Sequence, residues 1–259
     1  MIGYFRYLKE NYKPPRTFVV DEDHFVIFDD FRNVRLREKA DLIFADPPFG
    51  INFRGNMPTY NRKPDALRYV EVSREEYPIF IRQLVEWCYE VLKPNGSMWL
   101  VSGWNNLRHV LNAVEDAGFI TLNHVIWKYQ FGVFTKRKFT TSHYHLLLLV
   151  KDEEDYTFNK PEHYAEDVWF IKRPYHHGER TAGNELPDKL VERCILTSSN
   201  PGELVIDPVL GSGTTLGVCL RHGRRCIGVE VNPALEERIR EKIEKHLFSK
   251  NKCRHSLFD

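Results

Sequence analysis

Residues Asp41-Leu42-Ile43-Phe44-Ala45 form a short apolar run that stops at Asp46-Pro47-Pro48-Phe49-Gly50. An apolar run of that length reads as a buried strand. Two successive prolines continue neither a helix nor a sheet ladder, because neither has an N–H and both have φ fixed. The chain must therefore leave the strand extended. Asp46 and Phe49 are then presented at the carboxyl end of a strand, where open α/β sheets place their ligands. A carboxylate, a proline carbonyl with no ladder partner and a flat ring make a pocket suited to an aromatic amine. The same letters also suit a strand that ends in a Pro-Pro loop with its Asp solvated, so a second motif has to decide.

The remainder of the chain alternates strand and helix patterns. His24 to Phe28 reads as a strand ending in Asp29-Asp30, and residues 51–72 read as a long loop behind Phe49. Ser73 with Glu76 is a capping-box signature. It opens a helix with Phe80, Leu84, Trp87, Cys88 and Val91 at helical spacing, which Pro94-Asn95-Gly96 should stop. Met98 to Val101 reads as a strand, and Leu107, Val110, Leu111 and Val114 mark a helix closed by Gly118. Thr121 to Tyr129 and His143 to Lys151 read as an antiparallel hairpin at a sheet edge. Residues 152–186 are polar and have the weakest periodicity. A helix from Pro187 to Thr197, the turn Asn200-Pro201-Gly202 and strands Leu204–Asp207 and Cys226–Glu230 follow. Asn232 caps a last helix with Pro233 at its first position and Leu235, Ile239, Ile243 and Leu247 as its buried stripe. Such alternation means an α/β fold with a doubly wound, mostly parallel sheet of seven strands.

With 259 residues, 42% hydrophobic and 28% charged, the chain can bury a sizeable core, and without repeats or a second pattern it reads as a single domain, 1–259. No apolar run approaches the roughly 18 residues that span a bilayer, so no membrane association is expected. Five scattered cysteines without Cys-x-x-Cys spacing suggest neither a disulfide framework nor a metal site. A reduced, intracellular, cytoplasmic protein is expected. The net charge of +1 argues against nucleic-acid binding by bulk electrostatics. It leaves room for a local basic face from Lys136-Arg137-Lys138, Arg62-Lys63, Lys172-Arg173 or Arg224-Arg225.

The deciding motif is Asp207-Pro208-Val209-Leu210-Gly211-Ser212-Gly213-Thr214-Thr215, between an expected strand and an expected helix. Glycines there let backbone approach a ligand, and the helix start offers free N–H groups. The spacing is wrong for a phosphate cradle, since no third glycine and no Gly-Lys-Ser/Thr follows. Glu230 ends the next strand, 23 residues after Asp207, where an acid accepts both hydroxyls of a ribose. A ribose without a phosphate cradle points to S-adenosylmethionine.

Together the two motifs resemble the DNA amino-methyltransferases, which methylate an exocyclic base nitrogen. Asp46-Pro47-Pro48-Phe49 is similar to that family's catalytic motif and Asp207 to Thr215 to its cofactor loop. The catalytic block comes first, as in the circularly permuted β class. The resemblance extends through Trp127-Lys128, His143 to Lys151, Asp167-Val168-Trp169 and Leu186 to Gly202. It implies the S-adenosylmethionine-dependent methyltransferase fold, with an antiparallel edge hairpin, and double-stranded DNA as partner. By the same resemblance Asp29 holds the cofactor's adenine amino group, with Asp30 the lesser candidate. Glu230 takes the ribose, with Asn232 beside it, and the loop from Asp207 through Pro208, Gly211, Ser212, Gly213, Thr214 and Thr215 takes the methionine part. Asp46, Pro47, Pro48 and Phe49 form the catalytic block, with Asp46 also bordering the cofactor. A short region, about 130–185, is left to read DNA, so a homodimer or second subunit would help to cover the duplex. This chain departs from the family at Leu186, where Lys is usual, at Tyr144, where an acid is usual, and at Val209-Leu210.

An acid at the first catalytic position resembles the adenine-N6 enzymes, whereas Ser is common in the cytosine-N4 enzymes. Methylation at cytosine C5 needs a cysteine nucleophile, usually after proline, and no Pro-Cys occurs. RNA or protein-amide methyltransferases of related fold generally have Asn in place of Asp46 and the cofactor loop first. A supporting subunit that binds the cofactor without turnover is compatible with Leu186. A purely DNA-binding module would be more basic and would have no use for Glu230.

Overall fold

The computed structural model describes residues 15–51, 72–132, 134–173 and 185–255. Nine strands form one sheet: β1 (Arg16–Val19), β2 (His24–Phe28), β3 (Ala40–Ala45), β4 (Leu92–Ser102), β5 (Ile120–Lys128), β6 (His143–Val150), β7 (Val168–Phe170), β8 (Leu204–Asp207) and β9 (Arg225–Val229). Their spatial order is β1-β2-β9-β8-β3-β4-β6-β5-β7. The strands from β2 to β4 in that order run parallel, and β6 is antiparallel to both β4 and β5. All seven expected strands are present. The two additional ones are short edges: β1 is too exposed to show alternation, and β7 is only three residues long. Because β7 pairs with β5, the hairpin lies one strand in from the edge.

Two layers of helices cover the sheet. On one face α1 (Tyr77–Val91) and α2 (Leu107–Ala117) pack on Ile43, Ala45, Met98 and Leu100. On the other, α3 (Asp188–Ser198), α4 (Thr214–His222) and α5 (Glu236–His255) pack on Leu42, Phe44, Trp99 and Val101. Burial on both faces explains why β3 reads as a continuous apolar run rather than as an alternation. The permutation is visible in space: β8 and β9, late in the chain, lie between β2 and β3.

The capping box forms as expected, with the Glu76 amide donating to Ser73 Oγ (3.2 Å) and the Ser73 amide to Glu76 Oε2 (3.3 Å). Three local expectations need correction. First, α1 ends at Val91, before Pro94-Asn95-Gly96, and β4 already begins at Leu92. Leu92 pairs with Ala40 and Ser97 with Leu42, so residues 93–96 bulge out of the ladder opposite Asp41. Secondly, Leu247, expected in the buried stripe of α5, is exposed. Ala113 fills the α2 interface, and His246 continues the α5 stripe by packing over Gly217, where a Cβ would come within 2.4 Å of its ring. Thirdly, Arg224-Arg225 is no basic face. Arg224 is buried and donates to the Ser199 carbonyl (2.8 Å), while Arg225 pairs with Glu38 (2.8 Å). The loop expected behind Phe49 and the Arg62-Lys63 pair fall on residues 52–71, outside the described residues.

Gly50 turns the chain out of the Pro-Pro block at φ +62°, against the buried Tyr77 ring. A Cβ there would sit 2.5 Å from that ring. Gly50→Ala should therefore cost about 2–4 kcal/mol, from left-handed strain and overpacking together. Gly202→Ala, at φ +84° with open space around it, should cost only about 1 kcal/mol. Urea unfolding of the two variants measures the difference.

Candidate functional site

From β3 the chain passes through α1 to β4 on one side, and from β8 it passes through α4 to β9 on the other. The crevice above the carboxyl ends of β3 and β8 is thus the topological switch point of the sheet. Four adjacent parallel strands each deliver a carboxylate to this edge. In spatial order they are Asp29 after β2, Glu230 after β9, Asp207 closing β8 and Asp46 after β3. With neighbouring strands about 4.8 Å apart, the row spans roughly 14 Å.

The middle of the row is built on the glycine loop. Asp207 is 3% exposed; its Oδ2 accepts from Thr215 Oγ1 (2.6 Å) and its Oδ1 from the Val209 amide (3.0 Å), which folds the loop back over the strand end. Glu230 Oε2 accepts from the Gly211 amide (2.8 Å) and Oε1 from the Asn232 amide (2.7 Å). Gly211 and Gly213 hold φ +58° and +87°, conformations that only glycine adopts without strain. Gly228 lets the loop close on β9, since a Cβ there would meet Leu210 Cδ2 at 2.5 Å. Pro208, Thr214 and Thr215 are buried beneath the loop, while Ser212 hydrogen-bonds Glu185, itself held by Arg238 (2.7 Å). The Glu230 carboxylate keeps acceptor capacity beyond its backbone bonds, with which it can take a hydroxyl. The residues present therefore suit a ribose-bearing cofactor.

At the β2 end, Asp29 is half-buried and accepts from the Asp30 amide (2.7 Å) and Asn33 Nδ2 (3.0 Å). Asp30 is committed elsewhere: it caps the turn Phe31–Asn33 and pairs with Arg32 at 2.6 Å. Asn232 uses its side-chain oxygen as a cap, accepting from the Ala234 amide (3.1 Å), and gives its backbone N–H to Glu230.

At the β3 end, Asp46 is half-buried, Pro47 is buried, and Pro48 and Phe49 are half-buried. Burial, reinforced by the nearby Asp207 charge, pushes the Asp46 carboxyl up to about 7, with Arg173 pulling the other way. Burial likewise raises Asp207 and Glu230 to about 7, against the hydrogen bonds that favour their ionised forms. The Phe49 ring stands edge-on to Tyr144, centroids 5.1 Å apart and planes at 76°, over Gly103, where a Cβ would lie 3.1 Å from its Cδ2.

Sequence reasoning missed three residues of this end. Asn106, buried just after β4, donates through Nδ2 to the carbonyls of Phe49 (2.7 Å) and Gly50 (3.0 Å) and so clamps the exit of the Pro-Pro block. The available signal was its place at the carboxyl end of the strand next to β3. Tyr144, read only as a departure, supports Phe49. Arg173, read as half of a surface pair, lies against Tyr144 with its guanidinium carbon 5.2 Å from that ring's centroid. The row, the loop and the Pro-Pro block are the parts the sequence analysis picked out, and the fold gathers them along one edge.

Comparison with known proteins identifies the family. The model of a DNA methylase family, covering N6- and N4-methyltransferases, matches residues 40–241. The chain is 30% identical to a DNA adenine methyltransferase, YhdJ of Escherichia coli K12, over 75% of this chain and 73% of that protein. It is 28% identical to the type II methyltransferase M.HpaI of Haemophilus parainfluenzae, over 79% of this chain and 68% of that one. In fold it resembles the cytosine-N4-specific PvuII DNA methyltransferase, with a TM-score of 0.67, 17% identity and coverage of 89% and 92% of the two chains. It also resembles M1.HpyAVI, solved as a complex with S-adenosylmethionine, with a TM-score of 0.59, 20% identity and coverage of 80% and 89%. The chain belongs to the S-adenosylmethionine-dependent DNA methylase family that acts on the amino nitrogens N6 and N4.

Proposed function

We propose that this enzyme methylates the exocyclic N6 amine of an adenine swung out of duplex DNA. The observation that carries the reading is the carboxylate row that ends, one strand from the glycine loop, in Asp46-Pro47-Pro48-Phe49. Along it Asp29 takes the cofactor's adenine amino group and Glu230 its ribose. The loop of Asp207, Pro208, Gly211, Ser212, Gly213, Thr214 and Thr215 takes the methionine part, and the Asn232 amide keeps Glu230 in place. S-adenosylmethionine supplies an electrophilic methyl group.

The amino nitrogen of adenine is a weak nucleophile because its lone pair is delocalised into the ring. Asp46 and the Pro47 carbonyl accept its two hydrogens and draw the nitrogen toward a tetrahedral form with a localised lone pair. That pairing strengthens as positive charge develops on nitrogen, so it stabilises the transition state more than the ground state. Pro48 fixes the chain direction, and Phe49, braced by Tyr144, stacks on the base. The acid at the first catalytic position and the adenine methyltransferase of Escherichia coli at 30% identity favour adenine over cytosine.

The chain acts as one domain, in the cytoplasm, and reads DNA with residues 130–185, of which 174–184 lie outside the described residues. Within that region Phe134 and Phe139 are 80% and 99% exposed on either side of Lys136-Arg137-Lys138, a surface suited to a phosphate backbone and bases. A homodimer or second subunit covers the remainder of the duplex.

Labelled S-adenosylmethionine incubated with unmethylated DNA, followed by digestion to nucleosides, should place the label in N6-methyladenine. Asp46→Ala should lower that transfer by about 10²–10³-fold. Label in N4-methylcytosine would retain the mechanism and change the target; no label in any base would refute the assignment. Asp46 must be ionised to pair with the positive charge that develops on the amine, and burial holds its carboxyl near 7. kcat/KM should therefore rise with pH through about 7, with an apparent midpoint that belongs to Asp46, Asp207 and Glu230 as an interacting set. A flat profile between pH 5.5 and 8.5 would contradict this role.

A further inference from the structure

Arg173 is half-buried and packed among three rings. Its guanidinium carbon lies 5.4 Å from the Trp127 ring centroid, 4.9 Å from that of Tyr129 and 5.2 Å from that of Tyr144. Its backbone is clamped by one side chain, with the amide donating to Gln130 Oε1 (2.9 Å) and the carbonyl accepting from Gln130 Nε2 (2.8 Å). Among the described residues no carboxylate lies within ion-pair distance of it and no acceptor takes its side-chain N–H groups, although the Asp46 carboxyl feels its charge. The charge is therefore held by rings, which leave the N–H donors around the guanidinium edge without an acceptor among the described residues.

The position gives that edge a purpose. Tyr144 carries Arg173 and also braces Phe49, so the cation lies one ring beyond the proposed base platform. A base cannot enter the Asp46 pocket alone, because it arrives with its sugar and flanking phosphates. A phosphate outside the pocket is an anion whose paired oxygens match the guanidinium fork. Partial burial among rings strengthens such a contact relative to one in open solvent.

We propose that Arg173 receives a phosphate flanking the flipped nucleotide and so seats the base against Phe49. This rests on the DNA-methylating reading above. The same anion-binding chemistry would also suit the cofactor's carboxylate, and the experiment separates the two sources.

The test uses the full chain and duplexes carrying the methylated sequence, with a single methylphosphonate replacing the phosphate on either side of the target adenosine. Wild type, Arg173→Gln and Arg173→Lys are compared by kcat/KM for DNA and by calorimetric affinity for S-adenosylhomocysteine. Neutralising one of the two phosphates should cost wild type about tenfold in kcat/KM. Arg173→Gln should lose a similar factor on the unmodified duplex and nothing further on the neutralised one, while Arg173→Lys falls between. Cofactor affinity should stay within about twofold in both variants, which also shows that they fold. An unchanged methylphosphonate penalty in Arg173→Gln would overturn the proposal. So would a variant that loses cofactor affinity but keeps its DNA kinetics, which would assign the anion to the cofactor. Failure of wild type to methylate the unmodified duplex would overturn the DNA-methylating reading itself, whereas wild-type transfer with an unchanged penalty in Arg173→Gln overturns the role of Arg173 alone.

Discussion

The parallel pairing of β3 with β8 is the contact on which the site depends. Leu42 lies opposite Val205 and Ile43 opposite Ile206, joining segments more than 160 residues apart in the chain. Asp41 helps fix the register: its Oδ2 accepts from the Leu204 amide at 2.9 Å, and its Oδ1 pairs with Lys93 at 2.6 Å. A slip of one residue would turn Leu42 and Phe44 to the opposite face and carry Asp46 away from Asp207. Everything chemical follows from this alignment. It brings the Pro-Pro exit of one strand beside the glycine loop of the next, although the permuted chain order puts the catalytic block first.

The alignment has a cost. Three carboxylates, Asp46, Asp207 and Glu230, gather where burial raises each toward neutrality, and they destabilise one another when ionised. The fold offsets this with oriented backbone N–H groups. Gly211 and Asn232 serve Glu230, and Val209 together with the Thr215 hydroxyl serves Asp207. Asp46 is the exception. Its ionised form is favoured by the Arg173 charge, and its pocket is shaped by rings and a clamped backbone. A carboxylate short of hydrogen-bond partners among the described residues is one whose lone pairs remain for an incoming amine, which is how strain at a functional site becomes useful.

The strands and helices were legible because their apolar periods are long and their punctuation is chemical: prolines after β3, Ser73 with Glu76 before α1, Asn232 with Pro233 before α5. The two edge strands were not, since β7 offers three residues and β1 buries little. Among the proposed site residues, Asp46, Asp207 and Glu230 stood out at strand ends, whereas the role of Asp29 came only from the family resemblance. Asn106, Tyr144 and Arg173 act through neighbours distant in sequence, and no local pattern marks that. Leu247 shows the converse error, where an apolar letter at the right spacing lies beyond the surface that a helix actually covers.

The central claim is directional: the row of acids runs from the nucleoside end of the cofactor at β2 to the reacting nitrogen at β3. Calorimetric binding of S-adenosylhomocysteine to Asp29→Ala, Glu230→Ala and Asp46→Ala tests it most directly. The first two should each weaken binding by about tenfold or more, as expected for loss of a hydrogen bond to a charged group, and Asp46→Ala should stay within about threefold of wild type. Full affinity in Asp29→Ala, or a loss in Asp46→Ala equal to that in Glu230→Ala, would contradict the order of the row.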